Sequence, residues 1–356
     1  MSKLNVCVLF GGMSPEHEVS LRSAEFVLNC LDPEKYNIYP VGITKEGKWI
    51  LFGSTDYTML PSGRWMECPE NCPAAISPVR GQGLLRFTDD CVLQEQIDVV
   101  FPVLHGENGE DGTIQGLLQL AGIAYVGPHV SASAVAMDKT LTKLVADQAK
   151  VRQAAWYLVR SADMESRMDS ILEALESTFS YPMFVKPAGT GSSVGVSKAA
   201  DRASLSDALL KAGKYDSKVL VEEFIHGREV EVAVMGNENP VASICGEIDS
   251  GADFYDYDAK YVTDTSVAYI PARIPEDISE KVREAAVAIY SAIGCQGLSR
   301  VDFFVTYENN EVVFNEINTL PGFTSISMYP KLFDASGIPG AALLDELLKL
   351  ALEARV

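Results

Sequence analysis

The sequence predicts an α/β protein of three packed units, the first a doubly wound domain on a parallel sheet. Three observations lead there. The length, 356 residues, exceeds what one hydrophobic core usually organises. The N-terminal stretch runs strand, glycine turn, helix, the opening unit of a doubly wound domain. Apolar runs of strand character then alternate with helical periodicity along most of the chain.

In order, residues 4–10 (LNVCVLF) form a short apolar strand that Gly11 and Gly12 end. Ser20 then precedes Leu21, Ala24, Leu28 and Leu31 at helical spacing, with Pro33 as a stop. Residues 36–43 and 47–53 read as strands around a Lys-Glu-Gly turn. Residues 60–95 carry Pro, Gly and Cys without a period and read as loop or variable insertion. Residues 97–104 (IDVVFPVL) are a buried strand ending in His105-Gly106, and 113–121 a helix. The first domain spans 1–128.

The second unit, 129–224, opens with a helix over 131–149 carrying Lys139 and Lys143 one turn apart. An irregular stretch and a helix near 165–179 follow. Strand 181–187, the loop AGTGSSVG (188–195) and strand 196–199 come next, and strand 218–224 closes the unit. The third unit, 225–356, has strands at 228–235 and 241–248, an Asp- and Tyr-rich loop at 252–266, and a helix at 276–293. A hairpin over 298–322 turns at Tyr-Glu-Asn-Asn, and a last helix covers 340–354.

Composition excludes several classes. Lys plus Arg number 29 against 49 Asp plus Glu, a net charge of -20. Such a surface repels phosphate backbones, so nucleic acid is not the expected partner. No apolar run approaches about 18 residues, so no membrane span is expected. The N-terminal apolar stretch is too short for a signal segment, which makes the cytoplasm the expected compartment. Seven cysteines are scattered. Cys68 and Cys72 lie close but lack nearby histidines, so free thiols in a reducing compartment fit better than zinc.

Four places could carry chemistry. The loop Gly189–Gly195 can converge backbone N–H groups and the Ser192 and Ser193 hydroxyls on a phosphate, with Lys186 just upstream. It lies between strands, so it is not a P-loop, and a plain hairpin turn is the bland alternative. On the 298–322 hairpin, residues two apart share a strand face. Arg300 with Asp302, and Glu316 with Asn318, would gather two carboxylates, an amide and a guanidinium. Oxygen-only ligands suit Mg²⁺; a surface salt bridge is the alternative. Glu16-His17-Glu18 sits at a helix start, where acids often serve only the dipole, and His105 could cap a strand end. Asp256–Tyr261 reads as a solvated loop or as a mobile lid.

Taken in order, seven stretches resemble the D-alanine–D-alanine ligases of the ATP-grasp superfamily. They are FGGMSPEHEVS (10–20), VLHGENGEDGTIQG (103–116), AMDKTLTK (136–143), FVKPAGTGSSVGVSK (184–198), FYDYDAKY (254–261), GLSRVDFF (297–304) and NEINTLPGFTSISMYPK (315–331). Residues 53–95 match least. The resemblance implies the three-domain ATP-grasp architecture, with ATP gripped between the second and third domains. It implies Lys139, Lys186, Ser192 and Ser193 at the nucleotide phosphates, Glu222 and the backbone of Phe224 and Ile225 at adenine, and Glu229 at the ribose. Asp302, Glu316 and Asn318 would hold Mg²⁺, two ions, with Mn²⁺ able to substitute. Lys260 would serve the transferring phosphoryl group, and Arg300 and Gly322 the oxyanion. Glu16 and His105 would meet the first D-alanine, and Ser327 and Met328 the second. Glu16, Ser192 and Tyr261 would latch a lid. A cytoplasmic homodimer making a cell-wall precursor is implied.

The implied rivals are close. Relatives that form D-alanyl-D-lactate often lack the lid tyrosine, so Tyr261 favours the dipeptide; D-alanyl-D-serine is another product to consider. A different ATP-grasp ligase would share the hairpin and glycine loop without needing Glu16, His105 or Ser327. A catalytically dead nucleotide binder would be expected to have lost one of the charged groups, and all are present.

Overall fold

The computed structural model describes residues 3–191, 193–249 and 267–354. The first sheet grows from β1 (Leu4–Gly11), the helix α1 (His17–Cys30) and β2 (Tyr36–Ile43). It continues through β3 (Trp49–Leu51), β4 (Cys72–Ile76), β5 (Leu84–Phe87), β6 (Val92–Glu95), β7 (Val99–Val103), α2 (Thr113–Ala121) and β8 (Ala124–Tyr125). Strand order is β6-β5-β4-β3-β2-β1-β7-β8. The four strands β2, β1, β7 and β8 are parallel, and β3 to β6 extend the sheet antiparallel. Successive strand residues face opposite ways. Val6, Val8 and Phe10 therefore enter one core with α1, and Cys7 and Leu9 enter another with α2. This is the doubly wound domain expected.

Residues 60–95 are not the loop that their lack of periodicity suggests. They build one short 3-10 turn, Arg64–Glu67, and the three edge strands β4, β5 and β6. The strands are short and the outermost is largely exposed, so no apolar period develops. Trp65, from the same segment, is wholly buried edge-on against Phe10 at 5.2 Å. Gly42 lets it in: a Cβ there would lie 2.4 Å from the indole ring.

The expected 131–149 helix is two helices, α3 (Val130–Met137) and α4 (Lys139–Gln148). Asp138 separates them with extended backbone, and its side chain caps α4 by accepting from Thr140 N at 3.0 Å. Lys218 pairs with the same carboxylate. Although they fall within 129–224, α3 and α4 contribute Ala132, Ala136 and Ala146 to the core of the third sheet.

The second sheet is antiparallel, in the order β11-β10-β12-β9. It comprises β9 (Trp156–Arg160), β10 (Met183–Pro187), β11 (Ser197–Ala199) and β12 (Lys218–Glu223), backed by α5 (Ser161–Thr178) and α6 (Arg202–Ala212). The stretch read as irregular contains the edge strand β9, whose half-exposed residues hide its period. Helix α6 starts at a capping box between Asp201 and Ser204.

The third sheet is antiparallel, in the order β16-β15-β13-β17-β18 with β14 beside β13. Its strands are β13 (Gly227–Met235), β14 (Val241–Ala242), β15 (Gly246–Asp249), β16 (Val267–Tyr269), β17 (Leu298–Thr306) and β18 (Val312–Asn318). The strand expected over 241–248 is split, because the Ser243 hydroxyl takes the Ala233 N–H at 3.0 Å and Ile244 N donates to Ser336. Helix α7 (Glu276–Ile293) covers this sheet. The last helices, α8 (Met328–Ala335) and α9 (Gly340–Glu353), return to the first domain. Leu343, Leu344, Leu347 and Leu348 of α9 join the α1 core. Each such buried leucine contributes roughly 1.5–3 kcal/mol, which fastens the third unit to the first. Among the described residues no helix is long and apolar enough to cross a membrane.

Candidate active site

The hairpin of β17 and β18 builds one wall. Arg300 lies opposite Asn318 and Asp302 opposite Glu316, while Glu231 of β13 lies opposite Asp302 on the other side. Because side chains alternate, these five polar groups share one face and Val301, Phe303 and Ile317 fill the core behind it. Between Asp302 and Phe303 the register slips, leaving Asn315 unmatched, a bulge that ends the regular pairing just past the polar face. Arg300 donates from Nε to Asp302 Oδ1 at 2.8 Å and from Nη2 to Oδ2 at 2.7 Å, and its Nε stands 3.2 Å from Glu231 Oε2. Burial opposes its charge, but Asp302 and Glu231 outweigh that and hold the guanidinium well above its ordinary range. Asn318 Nδ2 donates to Asp302 Oδ2 at 3.0 Å, and Lys139 Nζ stands 3.8 Å from Glu316 Oε2.

This donor set fits a hard divalent cation. Two carboxylates and an amide offer only oxygen once the Asn318 amide is turned, and Asn318 already touches Asp302. An amide-for-carboxylate third ligand leaves room for the water and phosphate oxygens that Mg²⁺ prefers.

The first domain supplies the facing wall. Glu16, half-buried, directly precedes α1, and its Oε2 would lie 2.6 Å from a Cβ at Gly106 and 3.6 Å from one at Gly191. Gly106, at φ 69°, has the left-handed backbone that favours glycine, and a Cβ there would displace the Glu16 carboxylate. Ser14 Oγ donates to the His105 carbonyl at 2.7 Å and accepts from Glu16 N at 3.1 Å, tying the two motifs together. His105 is buried. Its Nδ1 meets the Leu320 carbonyl at 3.0 Å and its Nε2 meets Ser23 Oγ at 3.1 Å. A proton on Nδ1 satisfies the Leu320 carbonyl, and in the neutral ring that burial favours, Ser23 would donate to Nε2. Burial, the largest influence, likewise pulls its pKa down. Glu110 accepts from Gly106 N at 3.0 Å. Burial, then the neighbouring Glu16 charge, pushes its pKa up to about 8.

The Gly-Ser loop and β12 form the third wall. Lys139 Nζ donates to the Thr190 carbonyl at 2.8 Å, and Gly189 N donates to Asp216 Oδ2 at 2.7 Å. Ser193 sits in the left-handed region at φ 58°. Lys186 pairs with Glu222 Oε2, and Lys143 Nζ lies 2.5 Å from Glu222 Oε1. Burial works against the Glu222 charge, yet the two lysines overcome it and bring its pKa down to about 2. Phe224 stacks on Phe184 at 5.9 Å, with Lys198 over its ring. Glu229 and Ile225 lie close by in sequence, Glu229 opposite Phe304.

Between the walls lies a cleft of about 1130 Å³ lined by Glu16, His105, Glu110, Arg300, Glu316, Asn318, Gly322, Ser327 and Met328 among others. Ser327 precedes α8, and its Oγ accepts from Thr324 N at 3.0 Å beside Gly322. Motifs over 300 residues apart in the chain therefore converge. Ser192, Lys260 and Tyr261 lie outside the described residues. Four groups escape a reading of the sequence: Glu231, Glu110, Ser23 and Lys143 as a partner of Glu222. Only Glu231 carries a signal, its alternation with Glu229 in GREVEVAVM.

This geometry is matched by similarity along the whole chain. Residues 5–128 match the family described as D-ala D-ala ligase N-terminus, and residues 145–349 match D-ala D-ala ligase C-terminus. The D-alanine–D-alanine ligase of Caldicellulosiruptor bescii is 48% identical over 99% of this chain and 96% of its own. That of Chlorobium limicola is 48% identical over 99% and 98%. Among solved structures, the VanG D-Ala:D-Ser ligase from Enterococcus faecalis aligns with a TM-score of 0.89 and 38% identity, covering 98% of this chain and 100% of that one. The D-alanine–D-alanine ligase from Coxiella burnetii aligns at 0.84 and 34%, covering 99% and 95%. The alternating face of β17 and β18, the Glu16–His105 wall and the glycine loop thus occur in a chain that belongs to the D-alanine–D-alanine ligase family.

Proposed function

We propose that this chain is an ATP-dependent ligase that joins two D-alanine molecules into D-alanyl-D-alanine and releases ADP and phosphate. One observation carries the reading: a single cleft gathers Glu16 and His105 from the first domain with Arg300, Glu316, Asn318, Gly322 and Ser327 from the third. A different carboxylate–amine ligase would have no need of that first-domain wall.

A carboxylate is a poor electrophile and needs activation. A carboxylate oxygen of the first D-alanine attacks the γ-phosphorus of ATP, the bond to the ADP oxygen breaks, and an acyl phosphate results. The amine of the second D-alanine, having lost a proton, attacks the acyl carbon, and phosphate leaves. Nearly every oxygen involved is anionic, so catalysis is charge neutralisation and positioning. Glu16 pairs with the first substrate's ammonium beside His105, whose neutral ring orients without adding charge. Lys139 and Lys186 hold nucleotide phosphates, with the loop that includes Ser193 over them. Glu222 and the backbone of Phe224 and Ile225 meet adenine, and Glu229 the ribose. Arg300 and the Gly322 N–H face the tetrahedral oxyanion. Ser327 and the Met328 backbone receive the second carboxylate. Asp302, Glu316 and Asn318 would hold Mg²⁺, which when bound neutralises phosphate charge. The roles of Ser192, Lys260 and Tyr261 rest on their motifs alone. The same reading makes 1–128 the substrate-binding domain and divides the nucleotide grip between 129–224 and 225–356. It also places a homodimer in the cytoplasm, supplying peptidoglycan precursor.

D-serine as second substrate is the one alternative with a specific support, the likeness to the VanG D-Ala:D-Ser ligase. The test is ADP release by the purified protein with Mg-ATP and D-alanine alone, or with D-serine or D-lactate added, the products identified by mass. Turnover with D-alanine alone, giving the dipeptide, is expected. ADP release only when D-serine is added would transfer the assignment to the mixed dipeptide.

A further inference from the structure

One turn of α4 separates two lysines with different partners. Lys139 reaches the Thr190 carbonyl and approaches Glu316. Lys143, whose side chain is only 3% exposed, stands 2.5 Å from Glu222 Oε1. Lys186 holds the other oxygen, Oε2, so one buried carboxylate lies between two ammonium groups. The backbone of Lys143 is fixed too: its carbonyl accepts from Gln153 Nε2 at 2.8 Å, and that amide also donates to Asp147.

Lys186 immediately precedes the glycine loop, where nucleotide phosphates would compete with Glu222 for its ammonium. Were it the sole partner, its departure would leave a buried, uncompensated charge, which proteins avoid by protonating the group. We infer that Lys143 is a positioning residue that keeps Glu222 ionised and aimed at the nucleotide base while Lys186 turns to the phosphates. The inference rests on the nucleotide-binding reading above. Burial lowers the Lys143 pKa and the Glu222 charge opposes that only in part, so the contact itself, 2.5 Å from Oε1, is what makes Lys143 the counter-ion. An ionised carboxylate only accepts hydrogen bonds. It therefore favours a purine whose 6-position carries an amine over one carrying a carbonyl, and Lys143 sustains that preference without touching the base.

The test is calorimetric titration of the whole protein with Mg-ATP and with Mg-ITP, which carries a 6-carbonyl. Wild type is expected to prefer ATP. Lys143→Met should lose roughly tenfold in ATP affinity, an ordinary coupling for neighbouring charges, and its ATP-over-ITP preference should contract; Lys143→Arg should restore much of both. Glu222→Gln should contract the preference alone, and adding Lys143→Met to it should change the ratio no further. That double variant has no buried carboxylate to compensate, so it keeps the test available if Lys143→Met fails to fold. A folded Lys143→Met with an unchanged ratio, or a further change in the Glu222→Gln background, overturns the inference. If wild type binds neither nucleotide, the nucleotide reading itself falls, a result distinct from both.

Discussion

Arg300 and Asp302, two residues apart on β17, form a two-bonded ion pair, Nε to Oδ1 at 2.8 Å and Nη2 to Oδ2 at 2.7 Å. The pair aligns the guanidinium plane and fixes the carboxylate beside Glu316 and Asn318. An ammonium keeps the charge but cannot reproduce the fork. Arg300→Lys is therefore expected to lower kcat roughly a hundredfold, the usual loss for one oxyanion donor, with ATP affinity little changed. Steady-state kinetics checks this, and a kcat within twofold of wild type would remove Arg300 from the oxyanion.

Glu316 faces both Asp302 across the ladder and Lys139 across the cleft. Glu316→Gln keeps size and hydrogen bonding while removing the charge a divalent cation needs. Turnover should fall by orders of magnitude with the unfolding transition almost unmoved. Near-normal turnover at saturating Mg²⁺ would sink the metal assignment.

Ser23 joins the first domain to the loop that carries Gly322. Its hydroxyl oxygen accepts from Phe323 N at 3.2 Å and meets His105 Nε2 at 3.1 Å. Ser23→Ala leaves those buried partners unmatched, at a cost of about 1–3 kcal/mol. Thermal unfolding should register that loss, and kcat should drop because the Gly322 N–H is no longer held in place. A destabilised variant with full kcat would limit Ser23 to stability.

Glu110 gives the molecule a pH dependence of definite sign. Its pKa is raised from the ordinary 4.5 to about 8, by burial first and Glu16 second. The folded state thus binds its proton more tightly than the unfolded chain does. The stability this contributes is fully present below pH 4.5 and is lost as pH rises through about 8. Glu110→Gln should flatten that part of the profile and raise relative stability at the alkaline end. Urea midpoints from acid to alkaline pH in both chains would show it; parallel profiles would refute it.

Much of this was legible in the chain. The alternation of Arg300, Asp302, Glu316 and Asn318 against Val301, Phe303 and Ile317 is a local pattern, and the hairpin carries it unchanged. Helices such as α2 and α7 follow from apolar spacing that their own faces require. The segment 60–95 was not legible, because edge strands half in water develop no period. The split at Asp138 was missed for another reason: one side chain outcompetes the helix by capping its successor.

The sequence by itself determined what depends on neighbours within a few residues: strand faces, helix faces, the glycine loop and the order of motifs that resemble one ligase family. Only the tertiary structure decided which distant polar groups meet. Ser23 reads as an ordinary helical serine until His105 and Phe323 arrive from elsewhere in the chain. Lys143 reads only as the helical neighbour of Lys139 until Glu222 receives it in a buried site. The physical reason is the same in both cases. Periodicity is written along the backbone, but the environment that gives a polar side chain its charge state and partner is assembled from remote elements.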